Sequence, residues 1–159
     1  MGEELERKFL VVGEGWRQGS QATDYRQGFL STVPERTVRV RVAGNRGWIT
    51  VKGLAEGLRR PEFEYEIPVG DAQQMLERLC ERPLIEKRRH RLTVAGHVWE
   101  VDVFGGDNAG LVVAEIELRS EDESFEKPAW LGREVTGDPR YFNANLVVRP
   151  FRSWSAEGS

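Results

Sequence analysis

Apolar and polar residues alternate with a period of two along most of this chain. In a strand that period puts successive side chains on opposite faces. It predicts strands over residues 3–12, 25–31, 36–43, 48–53, 61–68, 85–94, 97–104 and 111–120. Gly44-Asn45-Arg46-Gly47 and Ala95-Gly96 read as the joints of two hairpins, and residues 13–20 and 105–110 read as loops. One stretch has a helical period instead, with Ala72, Met75, Leu76, Leu79 and Cys80 on a single face. Asp71 and Gln74 have the spacing of a capping box at its start, and Pro83 ends it. A second short helix is predicted to begin at Asp138-Pro139. About eight short strands with one main helix give a mainly β fold with flanking helices, either an antiparallel barrel or a sandwich.

The charged residues follow the same parity. Glu4, Glu6 and Lys8 share one face of the first strand. Arg39 and Arg41 share a face, with Val38, Val40 and Val42 opposite, and Lys52 follows on the next strand. Glu62 pairs with Glu64, Lys87 with Arg89, Glu100 with Asp102, and Glu115 with Glu117. A wet sheet surface also alternates in this way. Here, however, several strands carry like charges in pairs, which repel, and the signs segregate by strand. Paired carboxylates suit Mg²⁺ or Mn²⁺, which prefer oxygen ligands. Arginine and lysine suit phosphate oxygens. Parity alone leaves open whether these faces point into a barrel or out to water.

Composition narrows the setting. The chain has 159 residues, a net charge of −3 and 31% charged residues, which fits one domain and gives no bulk basic character for nucleic acid. Residues 1–152 are expected to form that domain, with 153–159 as a disordered tail. Cys80 is the only cysteine, so no internal disulfide is expected. The acidic start, Gly2-Glu3-Glu4, has no apolar signal region, and no apolar run reaches the ~18 residues of a membrane span. A cytoplasmic protein without nucleic-acid or membrane partners is the expectation, and a homodimer is left open.

Other candidate chemistry reads as structural. Cys80 lies on the apolar helix face and is expected as a buried thiol. His90 and His97 lack a second ligand at zinc spacing and are expected to pack. The glycines between residues 13 and 19 lack the Gly-Lys-Ser/Thr of a phosphate-binding loop. Trp130, Phe151 and Trp154 are expected to pack as well.

Glu4-Leu5-Glu6-Arg7-Lys8 has the form Glu-x-Glu-x-Lys at the start of a first strand. It resembles the signature of the CYTH superfamily, the triphosphate tunnel metalloenzymes. "TVRVRVAGNRGWITVKG", "EFEYEIP", "PLIEKRRHRLTVAGHVWEVDVF", "GLVVAEIELRSEDESFEKPAWLGREVTGD" and "RYFNANL" resemble the stand-alone bacterial members in order and spacing. The resemblance implies a closed eight-stranded antiparallel barrel forming a tunnel, with the charged residues inside. It implies that Glu4, Glu6, Glu115 and Glu117 hold Mg²⁺ or Mn²⁺, or orient water bound to it. Lys8, Arg39, Arg41, Lys52, Lys87 and Arg89 would hold the phosphates of a small-molecule triphosphate. Lys87, with Glu4 and Glu6, would serve the chemical step. Glu62, Glu64, Glu100 and Asp102 would complete the acidic wall, and Glu62 and Glu64 rank below Glu115 and Glu117 as metal ligands.

Activities in this superfamily include inorganic triphosphatase, thiamine triphosphatase, class IV adenylate cyclase and RNA triphosphatase. The chain is most similar to the short bacterial inorganic triphosphatases, the tripolyphosphatases. A triphosphate-binding module without turnover is the alternative of another class. One position departs from the pattern: where some of those enzymes have a tyrosine after Gln-Gly, Gln27-Gly28 is followed here by Phe29.

Overall fold

A computed structural model describes residues 2–157. Among these residues there are nine strands: β1 (Glu3–Val11), β2 (Gln21–Ser31), β3 (Thr37–Ala43), β4 (Arg46–Lys52), β5 (Arg59–Ile67), β6 (Ile85–Val94), β7 (His97–Phe104), β8 (Val112–Glu117) and β9 (Leu131–Glu134). Two α-helices accompany them, α1 (Val69–Arg78) and α2 (Asn143–Val148). The strands form one antiparallel sheet in the order β5-β4-β3-β2-β6-β7-β8-β1, and β1 pairs back onto β5. That last pairing settles the choice between barrel and sandwich in favour of a closed eight-stranded barrel. It is short, joining only Glu3, Glu4 and Leu5 to Pro61, Arg60 and Arg59. Further along the same edge of β1, Phe9 and Val11 pair with the extra strand β9 instead.

The apolar sides of the strands face outward and are mostly covered. α1 lays Ala72 and Leu76 over Val40, with Ile49, Val42 and Ile67 beside them. This seat needs Gly47, where an added Cβ would stand 2.7 Å from the Cβ of Ala72. Trp16, Trp99 and Trp130 form a second cluster on the outer faces of β1, β7 and β8. The carboxy-terminal segment packs Tyr141, Leu146 and Trp154 against Phe29, Ile85 and Phe104 at one end of the barrel. Most of the outward apolar residues are thus buried against a covering element, although Phe63 and Tyr65 of β5 stay exposed, and the inner faces are free to be polar.

Several expected boundaries move. β2 starts at Gln21, because its polar first residues pair with β6 without needing an apolar face. Strand β9 has no alternation to announce it. Asp71 lies in the first turn of α1 and makes no side-chain cap, since the helix starts at Val69 after Pro68. Its charge still suits the positive amino-terminal end of the helix. Leu79, expected on the buried face, lies just past the helix and is 66% exposed. Cys80 is buried, as expected. Asp138 caps a turn of 3-10 helix at Pro139–Tyr141, accepting from the backbone N–H of Arg140. The expected tail overlaps a 3-10 helix, Phe151–Glu157, which buries Trp154, while residues 158 and 159 lie outside the described residues. No helix among the described residues is long and apolar enough to cross a membrane.

Candidate functional site

The barrel encloses a cavity of about 720 Å³. Thirteen of the fourteen charged residues singled out by parity line it: Glu4, Glu6, Lys8, Arg39, Arg41, Lys52, Glu62, Glu64, Lys87, Arg89, Glu100, Glu115 and Glu117. The fourteenth, Asp102, lies behind them and is fully buried. Register explains how so much charge coexists. Along a strand the pairs are like in sign, but across strands Lys8 stands opposite Glu115, Lys52 opposite Glu62, and Arg89 opposite Asp102. Two like pairs remain, Glu6 opposite Glu117 and Glu100 opposite Glu115.

The ion pairs form two groups. On one wall Lys52 Nζ lies 2.7 Å from Glu4 and 3.5 Å from Glu62. Beside it Arg39 lies 3.4 Å from Glu64, whose carboxylate also accepts from the Thr50 hydroxyl at 2.7 Å. On the opposite wall Asp102 accepts from Arg89 Nε at 2.7 Å and Nη2 at 2.9 Å, and lies 2.8 Å from Lys87 Nζ. Arg89 also reaches Glu100 at 3.2 Å and Glu115 at 3.4 Å.

Electrostatics separates these groups by role. Burial alone would suppress the charge of Arg89, yet Asp102, Glu115 and Glu100 hold its pKa well above that of an ordinary arginine. The carboxylate of Asp102 is thereby committed to a two-pronged arginine bond. Burial pushes Lys87 down to about 7 against the pull of Asp102, and Arg89 and Arg41 add to the push. Burial, then Arg39 and Arg89, bring Arg41 down to about 9. Arg41 has no carboxylate in ion-pair contact among the described residues; its Nε donates to Gln27 Oε1 at 3.4 Å. Its guanidinium lies 4.7 Å from the ring centroid of Tyr25, with that of Arg89 at 5.1 Å from the same ring.

The acids divide too. Burial raises Glu6 well above the usual carboxylate range, with Glu115 and Glu4 adding to the effect. Burial with Glu4 raises Glu62, and burial with Glu4 and Glu100 raises Glu117. Glu115 goes the other way: Lys8 and Arg89 overcome its burial and hold it well below. Glu64 is held down against burial by the Thr50 hydroxyl and by Arg41 and Arg39. Among the described residues no three carboxylate, imidazole or thiol groups already form a closed metal cage. Glu4, Glu6, Glu115 and Glu117 nevertheless supply hard oxygen donors from adjacent strands, and the mutual repulsion of Glu6, Glu115 and Glu4 is of the kind a divalent cation relieves.

Some lining residues were not legible as site residues. Thr50 and Asn143 are neutral and leave no charge signal, and the same holds for Gln27, fully buried and bonded to Asn143. Arg60 donates to the Gly53 carbonyl at 2.8 Å and lies 5.7 Å from the ring of Phe142; its parity with Glu62 and Glu64 was the available clue. Trp48 and Tyr25 share inner faces with Lys52 and Gln27 by the same rule. Phe29 lines the cavity and belongs to the apolar cluster at its end, so it brings no hydroxyl there. His90 points outward, against Trp16, with Nδ1 3.0 Å from the Ser20 hydroxyl. His97 pairs with Glu123 at 2.7 Å, away from the cavity lining.

Known proteins are similar to this chain along nearly its whole length. The CYTH domain family matches residues 2–151. An inorganic triphosphatase of Acetivibrio thermocellus is 51% identical over 154 residues, covering 97% of this chain and 99% of that protein. An inorganic triphosphatase of Nitrosomonas europaea is 37% identical over 150 residues, covering 91% and 97%. A crystal structure of an inorganic triphosphatase superposes with a TM-score of 0.67 at 35% identity, covering 91% of this chain and 97% of the other. A protein from Pyrococcus horikoshii, 19% identical with a TM-score of 0.59 over 75% of this chain and 80% of its own, shares the fold alone. From the closed barrel, its inward charges and a match across residues 2–151, this chain belongs to the CYTH family.

Proposed function

We propose that this chain hydrolyses inorganic triphosphate to pyrophosphate and phosphate inside the barrel, with Mg²⁺ or Mn²⁺. The observation that carries the reading is Arg41, a half-buried guanidinium lining the cavity that makes no ion-pair contact with a carboxylate among the described residues. Burial disfavours the charge of Arg41 and no carboxylate contact offsets that cost, so the site suits an anion that the protein does not supply. The two relatives described as inorganic triphosphatases, aligned almost end to end, support the identity of that anion.

In this mechanism Lys8, Arg39, Arg41, Lys52 and Arg89 bind phosphate oxygens, and the arginines do so with paired N–H donors. Lys52 and Arg39 leave Glu4 and Glu64 in part when they do so. Glu4, Glu6, Glu115 and Glu117 hold the metal. When bound there, the ion supplies charge neutralisation at the phosphate oxygens and acidifies water. Lys87 neutralises the terminal phosphate, and with its pKa near neutrality its Nζ can hold or give up a proton during the reaction. Water attacks the terminal phosphorus, the bond to the bridging oxygen breaks, and pyrophosphate leaves. Glu62, Glu64, Glu100 and Asp102 hold the cations in place. A cytoplasmic setting, where the lone Cys80 stays reduced, completes the proposal.

The test is phosphate release from tripolyphosphate, thiamine triphosphate and ATP, each with Mg²⁺, Mn²⁺ or EDTA. Tripolyphosphate is expected to be the best substrate and EDTA to abolish release. Tight tripolyphosphate binding without release from any substrate would move the reading to a binding module. Cyclic AMP from ATP would move it to a cyclase.

A further inference from the structure

Two neutral amides join the charged wall into one chain of hydrogen bonds. Gln27, on β2, is fully buried, and Asn143 opens α2 at the end of the cavity. Gln27 Nε2 donates to Asn143 Oδ1 at 2.7 Å, and Lys87 Nζ donates to the same oxygen at 3.1 Å. At the other end Arg41 Nε donates to Gln27 Oε1 at 3.4 Å. The cations dictate which way both amides face. Lysine and arginine side chains only donate, so the atom of Asn143 that meets Lys87 is its oxygen, and the atom of Gln27 that meets Arg41 is its oxygen. The nitrogen of Gln27 is then the one left to bond Asn143. Flipping either amide would set donor against donor.

This orientation leaves the NH₂ group of Asn143 with no protein partner among the described residues, on a side chain that lines the cavity. The same segment touches a second cation: Lys8 Nζ donates to the Tyr141 carbonyl at 3.2 Å. Protonated, as a neighbouring phosphate favours, Lys87 has three N–H donors. Asp102 and Asn143 take two, so the third is left for a ligand. A phosphate held there needs further donors, and another cation would worsen the crowding of Lys87, Arg89 and Arg41. A neutral N–H avoids that cost.

The geometry points to Asn143 as a ligand-contacting residue: its carbonyl oxygen holds Lys87, and its NH₂ donates to the phosphoryl group that Lys87 neutralises. This rests on the triphosphate reading above.

The test measures kcat and KM for tripolyphosphate with Mg²⁺ or Mn²⁺ in the wild type and in Asn143→Asp, Asn143→Ala and Asn143→Ser, together with the melting temperature of each free protein. Asn143→Asp keeps an acceptor for Lys87 and Gln27 but presents a carboxylate oxygen to the phosphate. Its KM is expected to rise at least about tenfold, and beyond that of Asn143→Ala. Asn143→Ser, which keeps a short donor, is expected to fall between the wild type and Asn143→Ala. If Asn143→Asp keeps the wild-type KM, or raises it no further than Asn143→Ala does, the residue serves packing or lysine placement only and the proposal is overturned. If the first two variants do not fold, the size of the thermal shift that tripolyphosphate gives Asn143→Ser decides, and an undiminished shift overturns it. A wild type that neither binds nor cleaves tripolyphosphate rejects the triphosphate reading itself, which is a separate outcome.

Discussion

Lys87 and Asp102 form an ion pair at 2.8 Å in which each side chain is 1% exposed. Asp102 also holds Arg89 through both of its oxygens, so one carboxylate secures two buried cations. Removing one member of such a group strands the others without solvent or counter-charge. Asp102→Ala is therefore expected to destabilise the protein by about 3–5 kcal/mol. Urea unfolding checks this, and a loss below about 1 kcal/mol would mean that water reaches the pair.

The depressed pKa of Lys87 makes a pH prediction. An unfolded lysine titrates near about 10.4, whereas Lys87 in the fold titrates at about 7. Between those values the unfolded chain holds the extra proton, so the stability contributed by this group grows as pH rises through the window and is lost as pH falls through it. A phosphate anion beside Lys87 favours its charged form. Binding of tripolyphosphate at pH 8 is thus expected to take up protons. Calorimetry in two buffers of different ionisation heat measures the uptake. Identical heats in both would show that Lys87 is already charged.

Glu6 offers a change with opposite effects on stability and on metal response. Burial, Glu115 and Glu4 disfavour its charge in the metal-free protein. Glu6→Gln is expected to melt no lower than the wild type in EDTA. It should also lose most of the stabilisation by Mn²⁺, which for the wild type is about 2.7 kcal/mol at a hundredfold excess over the dissociation constant. An Mn²⁺ shift equal to that of the wild type would remove Glu6 from the ligand set.

Gly47 tests the covering helix rather than the site. A methyl group there meets Ala72 of α1 at 2.7 Å and the Ile67 carbonyl at 3.4 Å. Overpacking of this kind costs about 1–3 kcal/mol. Gly47→Ala should lower stability by that amount in denaturant titration and leave KM for tripolyphosphate near its wild-type value. A change in KM larger than the change in stability would show that α1 transmits to the cavity.

The sequence carried the inner faces well, because a period of two is a local property that sorts side chains strand by strand. It could not carry the direction of those faces, since a wet sheet and a charged tunnel alternate alike. The family resemblance gave the direction, and the pairing of Leu5 with Arg59 that closes the barrel agrees with it. The parts played by Gln27 and Asn143 leave no trace in the charge pattern, because an amide in a strand or at a helix start carries no charge. β9 left no signal because Leu131-Gly132-Arg133-Glu134 is short and has no apolar alternation, and what holds it beside its backbone pairing is the contact of Arg7 of β1 with Glu134 at 2.6 Å and the packing of Leu131. Cross-strand register was equally out of reach, and it is register that sets Lys8 against Glu115 and so makes the crowded charges tolerable.

The join between β1 and β5 spans just three residue pairs, and on the inside Glu4 of β1 reaches past it to Lys52 of β4. That ion pair laces the seam of the barrel shut. On the proposed roles, a triphosphate that recruits Lys52 would untie this lace, and a metal held by Glu4 together with phosphates held by Lys52 would re-tie it. The hoop of strands would then be fastened by its own cargo. Amides along the seam should exchange with deuterium more slowly in the loaded protein than in the empty one, while the long β6–β7 ladder should feel little difference.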